Sequence, residues 1–315
     1  MPWRVPPRQR GRVIEATELT KRYGRTTAVD RLSFTVRPGV VTGFLGPNGA
    51  GKTSTLRMVL GLNRPCGGTV TVDGQPFGDH PRGLRHVGAL LDAHDVHGGR
   101  TARAHLTALA AGNGLSRRRV AEVLAEVGLA DAAGRRIGGF SLGMKQRLGI
   151  AAALLGDPPV LLFDEPLNGL DPEGVRWVRN LFRHLADDGR TVLVSSHLMG
   201  EMEQTAEELI VIGRGRLIAA ESLRQFAARS TRQRVRVRTP DPDILPTLLA
   251  DAGARVRREL DGAYTVSGLP ADRIGELAFE HGVRLHELSP HAASLEESFM
   301  QLTAESVEYA AGGAR

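Results

Sequence analysis

Cysteine is almost absent from the sequence, with Cys66 the only one among 315 residues. No disulfide can therefore form within the chain, and this usage is typical of a reducing compartment. Long apolar runs are also missing, since no segment approaches the roughly 18 residues of a membrane-spanning helix. The residues from Met1 to Pro7 lack the continuous apolar stretch of a signal peptide. We therefore expect a soluble, cytoplasmic chain of about two domains.

Lysine is scarce as well, because 38 of the 41 basic residues are arginines and only Lys21, Lys52 and Lys145 are lysines. The net charge of +6 would suit nucleic-acid binding if it were gathered in one groove. However, residues 1–12 hold four arginines and no acid, so most of the excess lies in this short, proline-containing arm. We expect the arm to be disordered, and the charge distribution predicts no nucleic-acid partner.

The pattern of apolar runs predicts an α/β domain in residues 13–221. Short strand-like runs alternate with glycine turns, and one strand ends in a glycine loop followed by a helical run from Thr53 to Leu60. The stretch of about residues 92–156 is rich in alanine, leucine and arginine with helical spacing, which predicts a helical subdomain.

Residues 222–315 differ in pattern and predict a separate accessory domain. Their runs have the order β-α-β-β-α-β, which is typical of a small ferredoxin-like α+β domain. Val235 and Val237 alternate with arginines on the first strand and are expected to face inward. The last predicted strand covers 283–288. A final helix is expected to carry three apolar residues on one face, namely Leu295, Phe299 and Leu302.

The clearest chemical motif is a complete G-x-x-x-x-G-K-T sequence between an apolar strand and a helix. Its glycines let backbone N–H groups turn toward phosphate oxygens, and the helix N-terminus adds partial positive charge. Lys52 suits the β- and γ-phosphates, and the Thr53 hydroxyl suits Mg²⁺. The predicted nucleotide-binding residues are Gly46, Pro47, Asn48, Gly49, Ala50, Gly51, Lys52, Thr53 and Ser54.

A second motif places two adjacent carboxylates, Asp164 and Glu165, after the apolar run Val160-Leu-Leu-Phe. In P-loop folds this strand is a parallel neighbour of the strand before the glycine loop, so Asp164 is expected to reach the metal. Glu165 is then placed to polarise an attacking water as general base. Together the two motifs predict hydrolysis of a nucleoside triphosphate.

Three further features complete a family pattern. An apolar helix is preceded by Phe140-Ser-Leu-Gly-Met-Lys-Gln-Arg, the second motif continues to Asp171 as Asp-Glu-Pro-Leu-Asn-Gly-Leu-Asp, and a later strand ends in Ser195-Ser-His197. In this order and spacing, residues 13–221 resemble ATP-binding cassette (ABC) ATPases. The resemblance implies a P-loop fold with a mostly parallel core sheet, an antiparallel β subdomain and a helical subdomain, and it implies ATP and Mg²⁺ as ligands.

The resemblance also implies particular roles. Tyr23 matches the aromatic residue that stacks on adenine, and His197 matches the histidine that bonds the γ-phosphate beside the catalytic Glu165. Ser141 and Gly143 would contact ATP held by the other subunit of a head-to-tail homodimer, and a helix N-terminus with a small hydroxyl is suited to an anion. Asp171 would link the two sites of this dimer.

The sequence departs from the family pattern at three positions. The segment that begins Phe140-Ser-Leu-Gly-Met matches the signature motif of the family, but Leu142 replaces its usual second glycine and Met144 replaces a glutamine. Asp92 stands where glutamine is usual, which makes it a candidate third metal-binding residue with a side chain one methylene shorter. These features are similar to the bacitracin- and lantibiotic-resistance branch of exporter ATPases, and the accessory domain resembles that of ABC-2-type exporters, including the daunorubicin-resistance kind.

The resemblance therefore predicts a peripheral subunit at the cytoplasmic face of the membrane. It would power a separate ABC-2-type permease that exports an antibiotic, drug or peptide. Two alternatives stay open, a non-transport cassette ATPase acting on ribosomes or nucleic acid, and an importer ATPase. Against the first, the chain has one set of motifs, and the interval from Lys52 to Asp164 leaves no room for a long coiled coil.

Overall fold

A computed structural model describes residues 13–230, 234–242, 244–259, 261–291, 295–296, 299–300 and 302–303. The described residues form two compact units, one of 13–223 with Thr303 and the other within 224–302. The change of sequence pattern predicts the boundary after residue 221, two residues earlier. The predicted arm of residues 1–12 lies outside the described part of the chain.

The first unit is built on two sheets. Its described strands are β1 (Ile14–Tyr23), β2 (Thr26–Val36), β3 (Val41–Leu45), β4 (Gly67–Val72), β5 (Val87–Leu90), β6 (Val160–Asp164), β7 (Thr191–Ser196), β8 (Glu208–Gly213) and β9 (Arg216–Ser222). An antiparallel sheet has the order β2-β1-β4, and a six-stranded sheet has the order β5-β6-β7-β3-β8-β9. The pairs from β5 to β8 are parallel, and only β9 runs antiparallel within this sheet.

Burial explains why the strand sequences differ between the two sheets. The strands β3, β6 and β7 are buried at every position, as expected for parallel strands covered on both faces. In contrast, β1 and β2 mix buried and exposed positions because only one face is covered. One apolar core joins both sheets and includes Ile14, Val36, Phe44, Leu56 and Leu162.

Helices pack on the larger sheet, and three of those described lie within the span of about 92–156 that was predicted as a helical subdomain. They are α1 (Lys52–Val59), α2 (Ala102–Gly112), α3 (Arg117–Glu126), α4 (Leu142–Leu154), α5 (Pro172–Asp187) and α6 (Met199–Glu203). Four of them begin at a side chain that accepts a hydrogen bond from the first turn, namely Thr101, Ser116, Ser141 and Asp171. Such caps satisfy N–H groups that the helix itself leaves unpaired. A further helix, α7 (Leu223–Ser230), follows β9.

The second unit has the predicted β-α-β-β-α-β order. Its elements are β10 (Arg234–Arg238), α8 (Leu245–Asp251), β11 (Arg255–Arg258), β12 (Tyr264–Ser267), α9 (Ala271–Glu280) and β13 (Glu287–His291). The sheet has the order β11-β12-β10-β13, and its pairs are antiparallel. Val235 and Val237 are fully buried in a core between this sheet and the helices, as predicted.

One predicted element of this unit is misplaced. The last strand was expected at 283–288 but covers Glu287–His291. The cause is the end of α9, where Gly282 takes a φ of 66° and the Val283 N–H bonds Ala278 O at 2.8 Å. Val283 therefore closes the helix and packs into the core, as an apolar residue after a glycine cap commonly does.

The predicted final helix lies largely outside the described residues. Within them, Phe299 is buried whereas Leu302 is exposed. None of the helices in the described part of the chain combines the length and the hydrophobicity that a bilayer span requires.

Candidate nucleotide site

The candidate site lies at the carboxyl ends of β3, β6 and β7. The strand that ends at Asp164 was expected to lie directly beside β3, but β7 lies between β6 and β3. The three strands are in parallel register, with Asp164 opposite Ser195 and Leu45 opposite Ser196. The residues that follow each strand therefore meet at one edge of the sheet, which is where open α/β sheets bind ligands. Residues far apart in sequence are brought together here because parallel strands end in the same direction.

The glycine loop after β3 depends on close backbone packing. A Cβ atom at Gly46 would lie 2.6 Å from Ile212 O, and one at Gly51 would lie 2.4 Å from Ala28 O. Gly51 also takes a φ of 103°, as it leads directly into α1. Only glycine satisfies both the approach and the backbone angle, so the loop packs closely against the rest of the unit and leads into α1, whose N-terminus favours an anion.

The other predicted loop residues take their places around this turn. Ala50 donates its N–H to Pro47 O at 3.1 Å and accepts a bond from Gly215 N at 2.9 Å. Gly49 has a φ of 80° and nothing near a would-be Cβ, and Asn48 is exposed beside it. Ser54 lies in the first turn of α1.

Lys52 fills the interior of the glycine loop. Its side chain is buried, and Nζ donates to Gly46 O at 2.6 Å. Nζ also lies 3.4 Å from Glu165 Oε1, so the loop lysine and the predicted general base form an ion pair. This cation is positioned where phosphate charge would enter the loop.

Asp164 holds two hydroxyl groups at once. Thr53 Oγ1 donates to Asp164 Oδ2 at 2.6 Å, and Ser195 Oγ donates to Asp164 Oδ1. The Ser195 hydroxyl in turn accepts the Glu165 N–H at 3.0 Å. Ser195 therefore connects both carboxylate residues of the second motif, a role that sequence reasoning missed although the Ser195-Ser-His197 segment was noted.

Glu165 and His197 form a second pair at the same edge. His197 Nδ1 lies 2.9 Å from Glu165 Oε2, and an ionised carboxylate can only accept, so Nδ1 carries the proton in this contact. Glu165 has a φ of 48°, which is rare for a residue with a Cβ. The turn after β6 thus bends sharply at the residue whose carboxylate contacts both Lys52 and His197.

Ser141 and Asp171 each cap the start of a helix, and Gly143 lies in the first turn of α4. Ser141 Oγ caps α4 by accepting Met144 N–H at 3.2 Å, and Asp171 Oδ1 caps α5 by accepting Gly174 N–H at 2.9 Å. The start of α4 packs on the loop that precedes Asp171, since a Cβ at Gly143 would lie 3.5 Å from the oxygen of Gly169.

Tyr23 lies at the end of β1 and is 47% exposed. Its hydroxyl accepts a hydrogen bond from Asn63 Nδ2 at 2.7 Å, and Lys21 Nζ lies over its ring at 5.2 Å from the centroid. Lys21 also donates to Arg64 O at 2.7 Å. The ring is therefore anchored at its hydroxyl and is accessible to a planar partner.

Asp92 follows β5 and bonds within its own turn. Its Oδ1 accepts the His94 N–H at 2.7 Å and lies 3.2 Å from His94 Nδ1. The carboxylate is about half exposed. Its role as a metal-binding residue stays a prediction.

This fold and site together define a P-loop nucleoside triphosphatase of the cassette type. A family model described as "ABC transporter" matches residues 29–168, and one for a domain of unknown function matches 233–296. The bacitracin transport ATP-binding protein BcrA of Bacillus licheniformis is 42% identical, and the match covers 65% of this chain and 68% of BcrA. The daunorubicin/doxorubicin resistance ATP-binding protein DrrA of Streptomyces peucetius is 34% identical over 93% of this chain and 92% of its own.

A solved structure of an ATP-binding subunit of an ABC transporter is similar as well. Its sequence is 27% identical, and the match covers 69% of this chain and 92% of the solved chain with a TM-score of 0.63. The chain therefore belongs to the family of ABC transporter ATP-binding proteins, and it is an ATPase of that family.

Proposed function

We propose that this chain is the ATP-hydrolysing subunit of an ABC exporter. The observation that carries the proposal is the cluster at the sheet edge, where Lys52, Thr53, Asp164, Glu165 and His197 are joined by direct contacts. The relatives named for bacitracin transport and for daunorubicin and doxorubicin resistance support the export of an antibiotic, drug or peptide.

The glycine loop binds the phosphates of ATP in this proposal. Residues 46–54 offer backbone N–H groups at the start of α1, and Lys52 adds a compact positive charge. Tyr23 stacks on the adenine, for which its exposed ring is suited. These contacts bind substrate within one subunit.

The Thr53 hydroxyl and the Asp164 carboxylate fit Mg²⁺. Both are hard oxygen donors, and they lie within 2.6 Å of each other at the end of the phosphate-binding loop. When bound, Mg²⁺ neutralises charge on the phosphate oxygens. The Ser195 hydroxyl holds the other Asp164 oxygen and so fixes the orientation of the carboxylate. Asp92 stays a candidate third residue.

Glu165 acts as the general base for the attacking water. Its carboxylate accepts the proton of that water, while His197 fixes the position of one carboxylate oxygen and faces the γ-phosphate. Lys52 moves from its contact with Glu165 onto the phosphates when ATP enters the loop. The ion pair is thereby exchanged for a substrate contact.

A second copy of the chain completes the site. Ser141 and Gly143 contact the γ-phosphate of ATP held by the partner subunit in a head-to-tail homodimer, and Asp171 links the two sites. The position of Ser141 at the N-terminus of α4 supports this role, because such ends favour negative charge. ATP binding then joins the subunits, and hydrolysis separates them.

The motion of the dimer drives a separate integral membrane permease of the ABC-2 type. The chain would therefore lie peripherally at the cytoplasmic face of the membrane. Coexpression with a candidate ABC-2-type permease tests the assignment, with phosphate release measured for the purified complex and for the chain alone. A stable complex with stimulated ATPase supports the proposal, and loading of its cargo into inverted vesicles distinguishes export from import.

The alternative is a cassette ATPase that acts on ribosomes or nucleic acid. The same phosphate-release assay, repeated with RNA, double-stranded DNA and ribosomes, distinguishes the two. Strong stimulation by one of these, without a membrane complex, would favour the alternative.

A further inference from the structure

The first turns of α4 pack tightly on the loop between Glu165 and Asp171. A Cβ atom at Gly169 would lie 2.1 Å from Cδ2, 2.5 Å from Cγ and 3.3 Å from Cβ of Leu142. Leu142 thus fills the space over Gly169, and no movement of a single methyl group would make room for a larger residue. Leu142 is also the position where this chain departs from the glycine usual in the signature.

Two more contacts join the same surfaces. The Gly143 backbone lies against Gly169 and Leu170, and Gln146 Nε2 donates to Asn168 O at 3.2 Å. Positions 142, 143 and 146 lie on one face of a helix. In the described part of the chain, Gln146 Oε1 is buried without a hydrogen-bond partner. The bond from Nε2 to Asn168 O is therefore the hydrogen bond that joins the Gln146 amide to the loop.

This contact lies between two residues with proposed roles across the dimer. Leu142 directly follows Ser141, and Gly169 stands two residues before Asp171. Ser141 and Asp171 are both held in helix caps, so each moves with the backbone around it. The fit of Leu142 over Gly169 therefore sets the position of the Ser141 turn relative to the Asp171 loop.

We propose that Leu142 is a positioning residue. Its steric contact with Gly169 holds the turn at Ser141 in a fixed position relative to the loop that ends at Asp171. The inference rests on the proposed dimer. It implies that disturbing the pair slows turnover and weakens the ATP-dependent dimer. ATP binding to the glycine loop of the same chain would be unaffected, because Lys52 and its loop take no part in these contacts.

The test compares two glycine substitutions at matched backbone angles. Gly169 has a φ of 75°, and Gly74, in the turn after β4, has a φ of 76° with no atom within 4 Å of a would-be Cβ. G169A and G74A therefore impose the same backbone strain, but only G169A forces Leu142 away. We expect G169A to lower kcat by about tenfold or more with little change in the Kd for ATP, and G74A to change kcat by less than about twofold.

Removal of Leu142 supplies the rescue. In the double variant L142G/G169A the new methyl group meets no leucine, so kcat and the thermal midpoint are expected to exceed those of G169A. On an E165Q background, G169A should weaken the ATP-dependent dimer and G74A should not. The proposal is contradicted if G169A behaves like G74A, or if adding L142G to G169A restores neither kcat nor the thermal midpoint. If wild-type protein fails to hydrolyse ATP, the proposed function fails instead, and the thermal midpoints still decide the steric pair.

Discussion

Ser195 shows at the level of a single residue how the strand register organises chemistry. It stands opposite Asp164 because β6 and β7 pair in parallel, and its one hydroxyl serves both carboxylate residues. A buried hydroxyl with two partners restricts the orientation of each. Asp164 and Glu165 are thus positioned by a neighbour that contributes no charge.

Replacement of Ser195 by alanine is expected to slow hydrolysis without preventing ATP binding. Loss of the hydroxyl leaves Asp164 Oδ1 and the Glu165 N–H without this partner, which costs about 1–3 kcal/mol for a buried group. We expect kcat to fall by about 10- to 100-fold and the Kd for ATP to stay within about threefold. Steady-state phosphate release and equilibrium nucleotide binding measure the two effects.

Ser196 provides the matched control. Its hydroxyl donates to Glu201 Oε2 at 2.7 Å and accepts the Leu198 N–H at 3.0 Å, and neither partner is Asp164 or Glu165. S196A should therefore lower kcat less than S195A. Equal loss in both variants would show that the effect comes from the strand end in general and not from the bonds of Ser195.

Lys52 illustrates why one of three lysines is retained in an arginine-rich chain. Its Nζ lies inside a loop whose carbonyl oxygen is 2.6 Å away. A planar guanidinium is too broad for this position, whereas an ammonium is compact. Lys21 gains an explanation too, because it bonds Arg64 O and lies over the ring of Tyr23.

The variant K52R is therefore expected to lose function although it keeps the charge. We expect ATP affinity and kcat both to fall, with kcat/KM down by about 100-fold or more. The control K21R keeps a cation at a partly exposed site and should stay within about threefold of wild type. Isothermal titration and phosphate release distinguish the two, and normal turnover by K52R would contradict this account of the loop.

The site residues were predictable from the sequence where the residue types of a motif suit a particular chemical task. Lys52, Thr53, Asp164, Glu165 and His197 were all selected from sequence, and the structure brings them together, although their roles remain proposals. The contacts of Ser195 and the fit of Leu142 over Gly169 were not predictable. Both depend on which segments become neighbours after folding, and a single sequence does not contain that register.

At the scale of elements, α3 carries two glutamates whose pKa values are shifted in opposite directions. Burial raises the pKa of Glu126, and Arg119, 4.0 Å away, offsets this only in part. In contrast, the hydrogen bond from Arg118 lowers the pKa of Glu122 one turn earlier. The charged form of Glu126 therefore destabilises the folded state, whereas that of Glu122 stabilises it.

The pair predicts stability changes of opposite sign. A raised folded-state pKa means that stability is lost as pH rises through that pKa, so E126Q should unfold at higher temperature than wild type near neutral pH. Below about pH 4 the two should be equal, since glutamate is then protonated in both states. E122Q should instead lose about 0.3 kcal/mol near neutral pH, the size of an exposed helix pair.

Thermal unfolding of both variants at several pH values checks these signs. Both variants replace glutamate by glutamine in the same helix, one turn apart. A change in helix propensity would therefore affect both equally, and the difference between them reports the electrostatics. Destabilisation by E126Q at neutral pH would mean that its contact with Arg119 outweighs burial.

Helices and strands were predictable where burial produces a clear apolar pattern in the sequence or where glycines mark the end of an element. The fully buried strands β3, β6 and β7 appear as apolar runs, and the glycine loop marks the start of α1. The strand β9 was missed because its sequence, RLIAAES, has little alternation and its partner β8 supplies the pairing. The shift of β13 arose because Val283 closes α9 instead of entering the sheet.

At the scale of the whole molecule, each of the two described units contains an apolar core, and the two units differ in sequence pattern. The first core joins the sheets of the nucleotide-binding unit, and the second lies within the β-α-β-β-α-β unit. The change of pattern near residue 222 indicated such a division because each core imposes its own periodicity. The assembly of two chains around ATP cannot be derived from one chain's burial pattern and stays a proposal.

The most direct test of the central claim is replacement of Glu165 by glutamine. Glutamine keeps the size and one oxygen of the side chain but cannot take a proton from water. With Mg²⁺ and ATP, we expect E165Q to bind ATP, to release phosphate at least about 100-fold more slowly, and to elute as a nucleotide-bound dimer. The wild type should return to monomer as ATP is consumed. Hydrolysis by E165Q at the wild-type rate would contradict the account.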